Sequence, residues 1–196
     1  MISGAVKRPE SNQPIPSDAC RVFKGQLFEV FQWEQQQYDG SVRTFEKLRR
    51  PDTVVVLPVT LNGKILTTVQ KQPGRKTFCS LVGGRQEPNE SVFDTALREM
   101  NEEIGYSCES LKFWFAVHPT TKIDWVVYFV IAKNCVQSGR PSADVGEEIA
   151  LVEKSFEEFL ELALDEAFVD VELVPKMLKA MISKGEFESL KGEIIG

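Results

Sequence analysis

The chain has 196 residues, 42% hydrophobic and 27% charged, which suits one medium-sized domain with a full core and room for a small extra subdomain. A formal net charge of −6, with no block rich in Lys and Arg, argues against a protein whose main task is to hold long nucleic acid, though not against a small phosphorylated substrate. Four scattered cysteines (Cys20, Cys79, Cys108, Cys135), a sole histidine (His118) and no signal-like or bilayer-length apolar run make a Cys/His zinc site unexpected and a reduced, cytoplasmic protein the simplest expectation.

Residues 1–18 are polar and carry prolines, so a loose arm is predicted there. From Cys20 to Trp33 aromatic and β-branched residues partly alternate. The turn signal Tyr38-Asp39-Gly40-Ser41 follows, and Val42 to Leu48 completes a hairpin or short meander. Arg49-Arg50-Pro51-Asp52 breaks the pattern, which divides a small β subdomain (19–50) from a larger unit (51–196). In that unit Thr53 to Thr60 reads as a buried strand, Asn62-Gly63 as a turn and Ile65 to Gln70 as the partner strand. Thr77 to Val82 is a short strand that leads into Gly83-Gly84. Val92 to Ile104 carries the strongest helical pattern, closed by Gly105 in a left-handed cap. Strands are predicted at Leu111–Val117, Trp125–Ala132 and, more weakly, Ile149–Val152, then helices near Phe156–Leu164 and Glu172–Ser183. This order describes a mixed α+β domain rather than a βαβ array.

On a helical wheel Val92, Phe93, Ala96, Leu97, Met100 and Ile104 form one apolar stripe, with Glu99 and Glu103 side by side at its edge and Glu102 just beyond. Like charges at this spacing repel by a few tenths of a kcal/mol, and by more where partly buried. A solvated acidic face is one reading; a site for a hard cation such as Mg²⁺ or Mn²⁺ is the other. The context decides for the second. From Gly84 to Tyr106 the sequence GRQEPNESVFDTALREMNEEIGY satisfies G-x5-E-x7-R-E-U-x-E-E-x-G-U, where U is a bulky apolar residue. Gly84, Glu90, Arg98, Glu99, Glu102, Glu103 and Gly105 fill its fixed positions.

That pattern is the Nudix box, and the chain resembles the Nudix hydrolase superfamily. The resemblance implies an α/β/α sandwich around a mixed sheet, with the box as loop-helix-loop. It implies that Glu99, Glu102 and Glu103 bind Mg²⁺ (Mn²⁺ as substitute), with the carbonyl of Gly83 as a further ligand, and that Glu102 and Glu103 serve catalysis. By the wheel, Arg98 faces away from the metal edge and is expected to orient Glu90 or Glu102. Gly84 allows close backbone approach and Gly105 turns the chain out of the helix.

Outside the box, Lys24-Gly25, the strand with Trp33, Asp39-Gly40, Phe45-Glu46-Lys47 and Arg50-Pro51-Asp52-Thr53-Val54 resemble the ADP-ribose pyrophosphatase branch. So does the stretch from Asp144 through Glu147 and Glu148 to Leu151. The branch implies a front antiparallel sheet often exchanged in a homodimer, and a loop glutamate acting as base or extra ligand. Glu147 is the first candidate and Glu148 the second, with a plain acidic loop as the alternative. Two departures leave the terminal sugar open: Lys71 and Gln72 stand where a phosphate-binding arginine is common, and Pro119 comes early. For substrate contact, Lys71, Gln72, Arg85, Arg49 and Arg50 are candidates, with Arg43 also able to meet a phosphate. Trp33 is a candidate to stack a nucleobase, a packed tryptophan being the equal alternative; Trp125 reads as structural. The expected activity is hydrolysis of ADP-ribose or a related nucleoside diphosphate sugar to a nucleoside monophosphate and a sugar phosphate. The alternatives are a pyrophosphatase for nucleoside triphosphates or dinucleoside polyphosphates, or a silent nucleotide-binding module. The expected partner is a small nucleotide, with no long nucleic acid and no membrane, in a homodimer.

Overall fold

The computed structural model describes residues 6–142 and 146–196. A front sheet opens the fold: β1 (Cys20–Lys24), β2 (Glu29–Gln36) and β3 (Val42–Arg49) run antiparallel in that order. The stretch from Cys20 to Trp33 is two strands rather than one, because the Gly25 amide donates to the Phe28 carbonyl (2.8 Å) and folds the chain back. The β2–β3 turn has Gly40 at φ +82°, a conformation glycine takes without strain. There Ser41 donates its amide to Asp39 (3.0 Å).

The main body follows with β4 (Thr53–Thr60), β5 (Ile65–Lys71), β6 (Phe78–Ser80), β7 (Val82–Arg85), α1 (Val92–Glu99), β8 (Tyr106–Ser107), β9 (Ser110–Val117), β10 (Ile123–Asp124), β11 (Val127–Gln137) and β12 (Glu148–Lys154). Three helices close the chain: α2 (Phe156–Leu162), α3 (Val174–Ile182) and α4 (Lys184–Ile194). Strand β4 is the hub, parallel to β11 on one side and antiparallel to β7 on the other, while β11 also pairs with β9 and β8. β5 keeps a single bridge to β4 and makes its own ladder with β12 and β6.

Period-two alternation sends the hub's side chains to two apolar layers. Val54, Val56, Tyr128 and Val130 meet Ala96 and Met100 on the α1 side. Val55, Leu57, Phe129 and Ile131 meet Phe156 and Phe159 on the side of the closing helices. The result is the predicted α/β/α sandwich. Burying each large apolar side chain contributes on the order of 1.5–3 kcal/mol.

Three features depart from the sequence reading. The front sheet is not purely N-terminal, because β10 returns to pair in parallel with β3 at Leu48 and Arg49. α4 was not anticipated: Gly185 and Gly192 blur its periodicity, yet Ser183 caps it and Leu190 and Ile194 enter the core. Finally, the arm expected to run loose to residue 18 is tied down from residue 6 onward. Arg8 donates to Asp52 (2.8 and 3.0 Å) and Asp124 (2.9 Å). The buried Lys47 ammonium donates to Ser11 Oγ (3.2 Å) and the Gln13 carbonyl (2.5 Å). Polarity and proline content suggest looseness, but a buried lysine needs acceptors and the arm supplies them.

Candidate active site

Helix α1 is fixed at its start by a capping box: Ser91 Oγ accepts from the Asp94 amide (3.1 Å) and Asp94 accepts from the Ser91 amide (3.0 Å). Its last turn, Met100–Ile104, widens into a π turn, a feature frequent at functional sites. Gly105 closes it at φ +69°, where a β-carbon would stand 2.7 Å from the Gly139 carbonyl. Met100 and Ile104 are buried, so Glu99, Glu102 and Glu103 are held along the rim of the α1 layer.

β7 runs beside them. The Gly83 amide donates to Glu103 (3.2 Å) instead of to β4. Since the amide and carbonyl of one residue in an antiparallel strand point to the same side, the Gly83 carbonyl also turns away from β4. A β-carbon on Gly84 would lie 2.2 Å from Glu99 Oε1, so only glycine lets that carboxylate pack there.

Arg98 corrects the wheel-based expectation that it faces away from the acidic edge. Its long side chain folds back, donating to Glu90 (2.8 and 3.1 Å), Glu99 (2.7 Å), Glu102 (3.0 Å) and the Arg85 carbonyl (3.0 Å). The guanidinium holds the Glu90 carboxyl down to about 2. Burial raises Glu99 despite Arg98. Burial pushes Glu103 up to about 8 against the Gly83 amide, and Glu99, Glu147 and Asp170 add to the rise. Glu147 lines the same cleft, its carboxylate accepting from Gln72 Nε2 (2.8 Å).

The fit to a divalent cation rests on this donor set. Glu99, Glu102, Glu103 and Glu147 offer only oxygen ligands, the choice of hard cations. Of these four, two share one guanidinium and, among the described residues, two have no cation partner. Among the described residues no three acidic, histidine or cysteine side chains stand gathered about one point, because Arg98 draws Glu99 and Glu102 to itself. The donors fit; closing around a cation requires those two side chains to turn from Arg98.

The carboxylates lie midway along a cleft of three joined chambers. The central one, about 860 Å³, holds Gly83, Gly84, Glu99, Glu102, Glu103 and Glu147. A front chamber of about 800 Å³ opens between the Lys24–Leu27 turn, Arg49–Asp52 and Arg85–Glu90, and shares Arg50 and Arg85 with the centre. There Arg50 lies over the Trp125 ring (4.6 Å) and Arg49 over the Phe31 ring (4.5 Å). A rear chamber of about 240 Å³ shares Gln72, Gly83, Glu103 and Glu147 with the centre.

The structure therefore brings together Gly83, Gly84, Arg85, Glu90, Arg98, Glu99, Glu102, Glu103, Glu147, Gln72, Arg49 and Arg50 along one cleft. It places Glu148, Lys71 and Trp33 elsewhere. Glu148 lies on β12 and pairs with Lys71 of β5 (3.3 Å), both well exposed, so neither lines a chamber. Trp33 is 8% exposed, packed on Phe45 (5.5 Å) in the front sheet, and donates to Gln35 (3.0 Å). His118 braces the arm, its ring nitrogens 3.2 Å from the carbonyls of Trp125 and Pro9.

Gln70, Ser80 and Asp170 in the rear chamber escaped the sequence reading. A signal existed for the first. Thr68 and Gln70 put two polar side chains on the same buried face of the strand as Leu66, where each needs a partner.

Residues 49–177 match the NUDIX domain model. The chain is 29% identical over 150 residues to the methanol dehydrogenase activator of Bacillus methanolicus, covering 75% of this chain and 77% of that one. It is 28% identical over 154 residues to the ADP-ribose pyrophosphatase of Bacillus subtilis strain 168, covering 78% and 80%. A crystal structure of an ADP compounds hydrolase has the same fold, with a TM-score of 0.71, 95% and 98% coverage and 20% identity.

Proposed function

The chain belongs to the NUDIX family, and from that premise we propose that it is a divalent-metal-dependent pyrophosphatase of nucleoside diphosphate sugars, with ADP-ribose the favoured substrate. One observation carries the reading: a group of carboxylates that outnumbers the guanidinium paired with it sits at the middle of a two-ended cleft, with Arg49 and Arg50 along the larger front end and Arg75 at the small rear one. A substrate with a diphosphate between two unlike ends matches that layout. The named relatives that act on ADP-ribose and ADP compounds support the same choice.

In this reading Glu99, Glu102, Glu103 and the Gly83 carbonyl hold Mg²⁺, or Mn²⁺ in its place. The bound ion supplies Lewis acidity toward the phosphoryl oxygens and acidifies the attacking water. The chain's residues do the rest. Glu147, oriented by Gln72, takes the proton from that water, while Glu148, turned outward with Lys71, does not. Arg98 keeps Glu90 ionised and fixes the box loop through the Arg85 carbonyl. In the front chamber the Arg50 and Arg49 guanidiniums present cationic planes to base and phosphate.

A substrate panel with Mg²⁺, scored for phosphate-bearing products, tests this. Sugar diphosphates should be cleaved to a nucleoside monophosphate and a sugar phosphate, and chelation should stop the reaction. Preference for triphosphates or dinucleoside polyphosphates, or no turnover at all, overturns it. We also propose a homodimer through the front sheet, since β1 is an edge strand with Val22 and Phe23 more than half exposed. A monomeric mass at micromolar concentration contradicts that.

A further inference from the structure

We propose that the rear chamber seats the sugar half of the substrate and that Gln70 and Asp170 read its hydroxyls, with Ser80 holding the Gln70 amide in place. This rests on the pyrophosphatase reading above and adds a binding subsite to it.

The chamber adjoins the carboxylates on the side away from the front arginines: it shares Glu103 and Glu147 with the centre and no lining residue with the front chamber. Its about 240 Å³ equals the liquid volume of roughly eight waters, room for a single sugar ring. Its hydrogen-bond inventory is specific. Thr68 donates its hydroxyl to the Ser80 carbonyl (3.2 Å), so the Ser80 hydroxyl donates to Thr68 Oγ1 (2.8 Å). Both hydroxyl oxygens are then left as acceptors, which fixes the Gln70 amide with Nε2 toward them (3.1 Å each). The Gln70 carbonyl oxygen is consequently turned the other way, on a side chain that is 95% buried, being 5% exposed. Asp170 repeats the arrangement. One carboxylate oxygen accepts from the Leu81 amide (2.7 Å), and among the described residues no donor meets the other. Neither free oxygen is sealed within protein, so each opens on the chamber.

Two free acceptors in a small recess ask for a ligand that brings several donors, as a polyol does. A nucleobase fits the recess less well, because it gains from a bare aromatic face. The one aromatic ring on this wall, Phe78, is covered by the Arg75 guanidinium at 3.6 Å. The front chamber has more than three times the volume, about 800 Å³, and takes the larger nucleoside half, which leaves the recess to the sugar.

Direct binding of two probes in Mg²⁺, ribose 5-phosphate and AMP, tests the assignment by calorimetry. Gln70→Leu and Asp170→Asn are compared with wild type, each first checked for a cooperative thermal transition. Each variant should weaken ribose 5-phosphate by about tenfold, the loss of one hydrogen bond to a hydroxyl, and leave AMP unchanged. The same variants should raise KM for ADP-ribose more than they lower kcat. If one variant does not fold, the other carries the test alone. Unchanged ribose 5-phosphate binding, or equal weakening of both probes, overturns the subsite even where wild type cleaves ADP-ribose. If wild type cleaves no sugar diphosphate, the pyrophosphatase reading fails and the subsite falls with it.

Discussion

Arg8 and Arg98 each stand among acidic side chains, one pinning the N-terminal arm and the other bracing the box helix. Around Arg8 the charges cancel: Arg8 and Arg49 face Asp52 and Asp124, with contacts of 2.8–3.0 Å. Burial alone would push the Asp124 carboxyl up, but Arg49 and Arg8 outweigh it and hold it below its usual range. Around Arg98 they do not cancel. Glu90, Glu99 and Glu102 share one guanidinium, and Glu103 and Glu147 stand next to them with none among the described residues. Glu103 is pushed up to about 8, by burial first and then by the nearby Glu99, Glu147 and Asp170. A balanced network is finished when the chain folds; an unbalanced one costs free energy that a bound cation would relieve. On the function proposed above, that difference separates a structural cluster from a functional one.

The sharpest way to break the comparison is to neutralise one member of each network. Glu103→Gln should lower turnover by at least about a hundredfold with the thermal transition intact. Arg8→Ala should leave turnover within a few-fold. Equal effects on rate would erase the distinction.

Arg98→Gln probes the bracing. It strands partly buried carboxylates, so metal-free stability should fall by about 1–3 kcal/mol, between the values for exposed and buried pairs. Saturating Mg²⁺ should recover part of the loss, read from denaturant midpoints with and without metal.

A pH series gives a smaller effect with a definite sign. Glu103 and Asp170 have folded-state values raised to about 8 and about 7, above their ordinary carboxylate range. The native state therefore binds more protons than the unfolded chain between about pH 4 and 8. Metal-free Tm should decline as pH rises through this window, and Mg²⁺ should flatten the decline because cation binding favours the deprotonated ligand. A flat metal-free profile would mean these carboxyls are not buried as described. The smallest effect belongs to the balanced network: Arg8→Ala should cost at most about 1 kcal/mol, given its partly exposed ion pairs.

The box was legible because each fixed position answers one local demand. Gly84 clears space for Glu99, Gly105 takes a left-handed turn, and the apolar stripe aims the helix. The hub strands were legible for the same local reason, continuous apolar runs buried on both faces. What stayed hidden depends on distant partners. Nothing near Arg8 in sequence foretells Asp52 and Asp124, and Asp170 meets Leu81 across 89 positions. A wheel places Cα atoms and not the tips of long side chains, so Arg98 was sent the wrong way. Trp33 and Lys71 had the right chemistry for substrate, but the pleat of their strands turns Trp33 into packing and Lys71 toward Glu148.

The most direct measurement is a Mn²⁺ titration of metal-free protein, followed by the resonance of free Mn²⁺ and run in parallel with ADP-ribose hydrolysis. Wild type should take up at least one ion as hydrolysis switches on, and Glu103→Gln should lose uptake and hydrolysis together. Hydrolysis that proceeds fully in chelator, or a wild-type protein that leaves all the Mn²⁺ free, would contradict the claim that these carboxylates exist to hold a cation.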